Sequence, residues 1–245
     1  MINSPQRCSA LRGLYAITDG PRIDLLDVIA AALRGGARVV QYRDKTNDAE
    51  RRLAEAEAIA TLCRQHDALF IVNDDIELAL VIGADGVHLG EDDASIEVAR
   101  ERLGDNAIIG VSCYDSLERA EDFTARGADY LAFGAFFPSG SKHTPRRATP
   151  QMLADARRFG LPLVAIGGID AGNAAPLISA GADCIAVISA LFGANDVEAQ
   201  GRQLSSLFGA TSSHAAASVS SLPPRENRPC DTARPRHPRE SGDPC

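Results

Sequence analysis

The sequence predicts an α/β chain folded as a single-domain (βα)8 TIM barrel over residues 1–209, followed by a disordered tail over 210–245. Three observations carry this expectation. The length, 245 residues, is one that such a barrel routinely uses as one domain. Short β-branched apolar runs alternate eight times with longer amphipathic runs. The short runs are too uniformly apolar for a half-exposed sheet, so they suit parallel strands covered on both faces. A Gly-Ala-Arg or Gly-Ala-Asp triplet also recurs at 36–38, 83–85, 127–129 and 181–183. Each copy ends a helical run just before an even-numbered strand, and a unit of two βα pairs repeated four times fits a closed barrel better than an open sheet.

In chain order, the first strand is placed at 13–19 (GLYAITD) and the first helix at 24–35. The first triplet closes that helix, its glycine suited to a left-handed C-cap. The second strand, 37–44 (ARVVQYRD), leads into a long amphipathic run over 48–66. The third strand, 69–74 (LFIVND), precedes a helix at 76–83, and the fourth, 86–90 (GVHLG), one at 95–104. The fifth strand, 107–113 (AIIGVSC), and the sixth, 130–136 (YLAFGAF), precede helices at 116–127 and 149–160. The seventh, 163–168 (LVAIGG), and the eighth, 184–190 (CIAVISA), precede helices at 173–181 and 196–208. Beyond Gly209 the pattern stops. Residues 210–245 hold six prolines and five arginines with almost no large apolar side chains, and Pro-Arg-Glu recurs at 224–226 and 238–240. Such a segment cannot bury enough surface to offset its ordering entropy.

Charge and cysteine usage exclude several functions. The formal charge of −8 gives no electrostatic footprint for nucleic acid or an anionic membrane. No stretch of eighteen apolar residues suggests a membrane span. The N-terminus, MINSPQRCSALRG, lacks the apolar core of a secretory signal, so a cytoplasmic protein is expected. The six cysteines form no CxxC pair and have no histidine cluster beside them, so free thiols are expected, with Cys113 and Cys184 in the core.

In a barrel of this kind the active site lies at the C-terminal ends of the strands. The polar residues there are therefore the candidates. On the second strand, Gln41, Arg43 and Lys45 fall on one face by alternation, bringing two cations and an amide to one cleft. Asp74 and Asp93 follow adjacent strands about 4.8 Å apart, close enough to share a hard cation such as Mg²⁺. The competing role for an aspartate here is to cap the next helix, which suits Asp75 and Asp92 best. Gly167-Gly168 and Ile188-Ser189 end the seventh and eighth strands, where barrels commonly bind phosphate. The Ser139-Gly140-Ser141-Lys142 loop offers hydroxyls and a cation to an anionic group, or is a flexible turn. His88, inside an apolar strand, suits a structural histidine better than a catalyst.

These residues occur in a set of motifs that resembles the thiamine-phosphate synthase family over about residues 13–195. The motifs are QYRDK at 41–45, NDDIELAL at 73–80, ADGVHLGEDD at 84–93 and IIGVSC at 108–113. FGAFFPSGSK at 133–142, AIGGI at 165–169 and AVISAL at 186–191 follow in the same order. The resemblance implies a barrel enzyme that joins hydroxymethylpyrimidine diphosphate to a thiazole phosphate and releases diphosphate. Carried over by motif, the run Gln41, Tyr42, Arg43, Asp44 and Lys45, together with Asn73 and Ser112, would bind the pyrimidine diphosphate. Asp74 and Asp93 would hold Mg²⁺. Ser139, Gly140, Ser141 and Lys142 would sit between the substrates, and Gly168, Ile188 and Ser189 would hold the thiazole phosphate. Arg43, Lys45, Ser112 and Lys142 would carry the chemistry, a dissociative alkyl transfer. The family loop is Thr-x-Thr-Lys where this chain has Ser139-Gly140-Ser141-Lys142, so the hydroxyls are kept and the methyls lost. The tail after Gly209 has no counterpart. The competing readings are a thiazole tautomerase-like barrel and a non-catalytic barrel that senses thiamine phosphate. The partners expected are small molecules, and the sequence leaves the oligomeric state open.

Overall fold

Eight parallel strands pair in sequence order and close on themselves, with the last bonded to the first. The computed structural model describes residues 11–91, 95–138 and 146–215. The strands are β1 (Gly13–Ile17), β2 (Ala37–Tyr42), β3 (Leu69–Asn73), β4 (Gly86–Leu89), β5 (Ile108–Tyr114), β6 (Tyr130–Phe133), β7 (Leu163–Ile166) and β8 (Cys184–Val187). Between them lie α1 (Leu25–Arg34), α2 (Ala49–Gln65), α3 (Ile76–Ile82), α4 (Ile96–Leu103), α5 (Leu117–Ala125), α6 (Pro150–Ala156) and α7 (Ala174–Ala180). After β8 come a short helix α8 (Ser189–Phe192) and a long one, α9 (Val197–Ala215). The predicted (βα)8 barrel is therefore observed, and among the described residues no helix is long and apolar enough to cross a membrane.

The differences from expectation lie at element ends. Most strands stop one to three residues early, where the chain leaves the sheet around the mouth of the barrel. Strand β8 ends at Val187, since Ile188 (φ −118°, ψ −90°) turns the chain into α8, which the sequence did not announce. The helix expected over 149–160 is α6 followed by a 3-10 turn at Arg157–Phe159. Helix α9 continues past Gly209 to Ala215, so the expected tail boundary falls inside a helix. The rest of that tail, 216–245, lies outside the described residues.

Two apolar layers hold the barrel. One lies between strands and helices and includes Val40, Phe70, Ile109, Leu131 and Ile185. The other fills the barrel interior and includes Tyr15, Val39, Ile71, Ile108, Tyr130, Val164 and Cys184. Gly110 faces inward on β5 because Tyr130 occupies the space a side chain would need: a Cβ there would stand 1.9 Å from the Tyr130 ring. Helices α2, α3, α4 and α5 start on Asp48, Asp75, Ser95 and Ser116, whose side chains accept from a backbone N–H three residues on.

The Gly-Ala-Asp triplets have a use at the N-terminal end of the barrel. Their glycines, Gly83, Gly127 and Gly181, sit at positive φ where the helix stops. Their aspartates reach back to the preceding strand. The Asp85 carboxylate accepts from the Phe70 N–H at 2.9 Å, Asp129 from Ile109 at 2.8 Å and Asp183 from Leu163 at 2.9 Å. Asp129 also accepts from Arg100 Nη2 at 2.7 Å. In the first triplet Arg38 replaces the acid and is exposed. There the closure is made by helices instead. A Cβ on Gly35 would meet the Glu198 carbonyl at 2.7 Å and the Gly201 Cα at 2.9 Å, so α1 and α9 touch backbone to backbone.

Candidate active site

A cleft of about 570 Å³ opens at the C-terminal ends of the strands. Alternation along β2 sends Gln41 and Arg43 into it and turns Tyr42 outward. Thr18, fully buried after β1, fixes the Arg43 backbone twice: its hydroxyl donates to the Arg43 carbonyl at 3.0 Å and accepts from the Arg43 N–H at 2.7 Å. Lys45, expected to continue that face, does not line the cleft but is exposed beside it, where Nζ pairs with Asp74 Oδ2. Asn73, in the cleft wall, donates from Nδ2 to the same Asp74 oxygen at 2.6 Å.

Asp74 stands in the left-handed region, φ +64°, sparsely populated by non-glycine residues and tolerated best by Asp and Asn. Its own N–H donates to the His88 carbonyl at 2.9 Å. The helix cap is the next residue, Asp75, whose Oδ1 accepts from the Leu78 N–H at 2.9 Å. The capping role therefore belongs to Asp75, and the Asp74 carboxylate is turned to Lys45 and Asn73 instead.

Tyr42 and Asp44, expected among the substrate-binding residues, point away from the cleft. The Tyr42 hydroxyl donates to Glu55 Oε2 at 2.6 Å, under α2. Asp44 is buried against Arg51, 2.6 Å away, and accepts from the Thr46 N–H at 2.7 Å. Burial alone would raise the Asp44 pKa, but Thr46 and Arg51 together hold it below the ordinary carboxylate range. Both residues brace the β2–α2 connection that carries Lys45.

The floor of the cleft is a chain of hydrogen bonds across five strands. Gln41 Nε2 donates to the Tyr15 hydroxyl at 2.8 Å, and the Tyr15 and Tyr130 hydroxyls are 2.9 Å apart. Tyr130 lies 2.9 Å from His88 Nδ1, and His88 Nε2 lies 2.9 Å from Ser112 Oγ. The His88 ring stacks on Tyr130 with centroids 5.6 Å apart. Burial pushes both tyrosine pKa values well above the ordinary phenol range, so both keep their protons. His88 is a satisfied histidine, as its apolar strand suggested, but it faces the cleft. Tyr15 and Tyr130 were missed because aromatic residues in apolar runs look like core. Gly110 opposite Tyr130 was the available signal.

The other wall is built from β7 and β8. Gly167, Gly168, Ile188 and Ser189 all line it. Gly167 (φ +104°) and Gly168 (φ +65°) are required twice, by conformation and by space. A Cβ on Gly168 would stand 2.5 Å from the Pro138 carbonyl, so the glycines let the β6–α6 connection lie against β7. The turn is held by Asn173, whose Nδ2 donates to the Gly168 carbonyl at 2.9 Å. Of the remaining candidates, Asp93, Ser139, Gly140, Ser141 and Lys142 lie outside the described residues.

A family model described as thiamine monophosphate synthase matches residues 14–191. A thiamine-phosphate synthase of Halorhodospira halophila is 55% identical over 197 residues, covering 80% of this chain and 94% of the relative. One of Chromobacterium violaceum is 55% identical over 202 residues, covering 82% and 98%. Among solved structures, the thiamine phosphate pyrophosphorylase of Pyrococcus furiosus is 38% identical with a TM-score of 0.74, covering 82% of this chain and 97% of that one. With a family model spanning most of the barrel and such relatives matched almost end to end, the chain belongs to the thiamine monophosphate synthase family.

Proposed function

We infer that the cleft carries out the thiamine-phosphate synthase reaction, joining hydroxymethylpyrimidine diphosphate to a thiazole phosphate with release of diphosphate. The observation that supports this reading is that one cleft has two unlike walls, each suited to an anion. On the β2–β3 side, Arg43 and Lys45 bring two cations to the rim beside Asp74. On the β7–β8 side, Gly168, Ile188 and Ser189 bring small residues past which backbone N–H groups can reach a phosphate. Between them the floor of tyrosine hydroxyls, an amide, an imidazole and Ser112 suits a polar heterocycle.

In this mechanism the bond between the pyrimidinylmethyl carbon and the diphosphate oxygen breaks, and its electron pair leaves with the diphosphate. The electron-rich aminopyrimidine stabilises the resulting cation. The thiazole nitrogen lone pair then forms the new C–N bond. Arg43 and Lys45 neutralise charge growing on the leaving diphosphate, as Lys142 would by resemblance. No side-chain nucleophile is required, and orientation of the two substrates supplies much of the rest.

Magnesium fits the same rim. Asp74 offers a hard carboxylate beside Lys45 and Asn73. Magnesium is usually held by one or two carboxylates together with substrate phosphate oxygens. Asp74, with Asp93 by resemblance, would hold it. When bound, the ion supplies further neutralisation of the diphosphate.

The test is incubation of purified protein with both substrates and Mg²⁺. Thiamine phosphate and diphosphate should appear in equal amounts. Arg43→Ala should lower kcat/KM on the order of a hundredfold with unchanged Tm. Tight binding of thiamine phosphate without turnover would support the sensing alternative instead.

A further inference from the structure

We propose that His88 is a positioning residue that fixes the Ser112 hydroxyl as a hydrogen-bond donor aimed at an acceptor atom of the pyrimidine diphosphate. The inference rests on the reaction assigned above, and it follows from counting protons along the floor network.

Each tyrosine has one hydroxyl proton to give. Gln41 Nε2 donates to Tyr15, so that oxygen already accepts. The Tyr15 proton must then go to Tyr130, 2.9 Å away. The Tyr130 proton in turn goes to His88 Nδ1, which must carry a lone pair. His88 is thereby held as the tautomer protonated on Nε2, and that N–H donates to Ser112 Oγ at 2.9 Å. The serine oxygen accepts, and its own proton turns toward the cleft that Ser112 lines.

The opposite polarity has a cost at the far end. If Ser112 donated to His88, the protons would run back to Tyr15, whose hydroxyl would face the donating amide of Gln41. Tyr15 is fully buried, and with the Gln41 amide nitrogen turned toward it its proton would have no acceptor among the described residues. A buried donor left without a partner is unfavourable enough to select the first arrangement.

Polarity of this kind discriminates between ligand atoms. A Ser112 whose proton is free to donate suits a ring nitrogen or a phosphate oxygen better than an amino group. Inhibition by free hydroxymethylpyrimidine and by free diphosphate, each measured separately, locates the acceptor.

Two substitutions test the assignment. The amide nitrogen of Gln lies near the histidine Nε2 position, so His88→Gln keeps a donor toward Ser112. Asn matches the Nδ1 position and stops short of Ser112. His88→Asn should lower kcat/KM for the pyrimidine diphosphate about tenfold, leave KM for the thiazole phosphate unchanged, and leave Tm within a few degrees. His88→Gln should recover most of that loss. Equal activity in both variants, or a loss confined to the thiazole phosphate, overturns the proposal. The tautomer is read without turnover, by ¹⁵N NMR of the histidine rings with His88→Gln supplying the assignment. A protonated Nε2 with an unprotonated Nδ1 supports the proposal even if no thiamine phosphate forms. A protonated Nδ1 overturns it even if the enzyme is fully active.

Discussion

Replacing Asp74 by Asn separates the charge of this side chain from its backbone role. Asn occupies left-handed φ as readily as Asp, so the +64° conformation survives. The ion pair lost involves a Lys45 that is 60% exposed, and such a pair contributes at most about 1 kcal/mol. The bond from Asn73 weakens but keeps an acceptor oxygen. The net stability loss is therefore about 1 kcal/mol, which lowers Tm by about 2–4 °C in a domain of this size. Activity should fall much further. Removing one ligand of a hard cation beside a leaving diphosphate is expected to lower turnover on the order of a hundredfold, about 2.7 kcal/mol. The assay is turnover across a Mg²⁺ titration with thermal unfolding recorded on the same samples. Excess Mg²⁺ should restore part of the rate. Asp74→Gly is the matched variant: it relieves the backbone, removes the charge, and should remain stable yet slow. Near-normal turnover of Asp74→Asn at limiting Mg²⁺, or a Tm loss above 10 °C with a proportionate rate loss, would refute the metal reading.

Other expectations concern stability. Asp129→Ala leaves the Ile109 N–H without its acceptor and removes the carboxylate partner of Arg100, which keeps its carbonyl acceptors, and should lower Tm by about 5–10 °C, whereas Asp129→Asn, which keeps an acceptor, should lose about half as much in the same melt. Gly35→Ala should destabilise by about 1–3 kcal/mol in denaturant titration and more than Gly201→Ala, because its new Cβ meets a backbone carbonyl at 2.7 Å rather than a contact at 3.1 Å. Burial pushes the thiols of Cys63 and Cys113 up to about 12, so mass mapping should find both unalkylated in folded protein at pH 8. Because the folded values lie above the unfolded one, stability from these groups is complete below about pH 9 and is lost between about pH 9 and 12. Removing residues 216–245 should leave Tm and turnover unchanged, and a drop of several degrees would place part of that segment against the barrel.

The barrel was legible because each βα unit announces itself twice, by an apolar run and by a change of period. The element ends were not, because polar residues such as Lys45 and Asp74 continue the strand direction after the sheet hydrogen bonds stop. On β2, alternation placed Gln41 and Arg43 correctly, while the motif as a block drew in Tyr42 and Asp44, which the same alternation sends outward. The Gly-Ala-Asp triplets were visible as punctuation. The use of their aspartates was hidden, since each finds its N–H partner on a strand fifteen to twenty residues away. Thr18, Tyr15 and Tyr130 were unreadable for a related reason. Their partners lie on other strands, on neighbouring β2 for Thr18 and across the barrel for the tyrosine pair, and a tyrosine in an apolar strand gives no hint of what its hydroxyl meets.

The aspartate bridges at the N-terminal end also act as alignment pins for the catalytic end. Strand β5 carries Ile109, gripped by Asp129, and Ser112 three residues further along the same rod. A slip of one residue between neighbouring strands would carry Ser112 about 3.3 Å along the axis and turn it to the opposite face. Ser112 and His88 stand on neighbouring strands and meet at 2.9 Å, a tolerance far smaller than one such step. The accuracy of the cleft is thus inherited from carboxylates that never approach a substrate. Changes at Asp85 or Asp129 should therefore blur the chemistry as well as lower Tm, although neither residue touches the cleft.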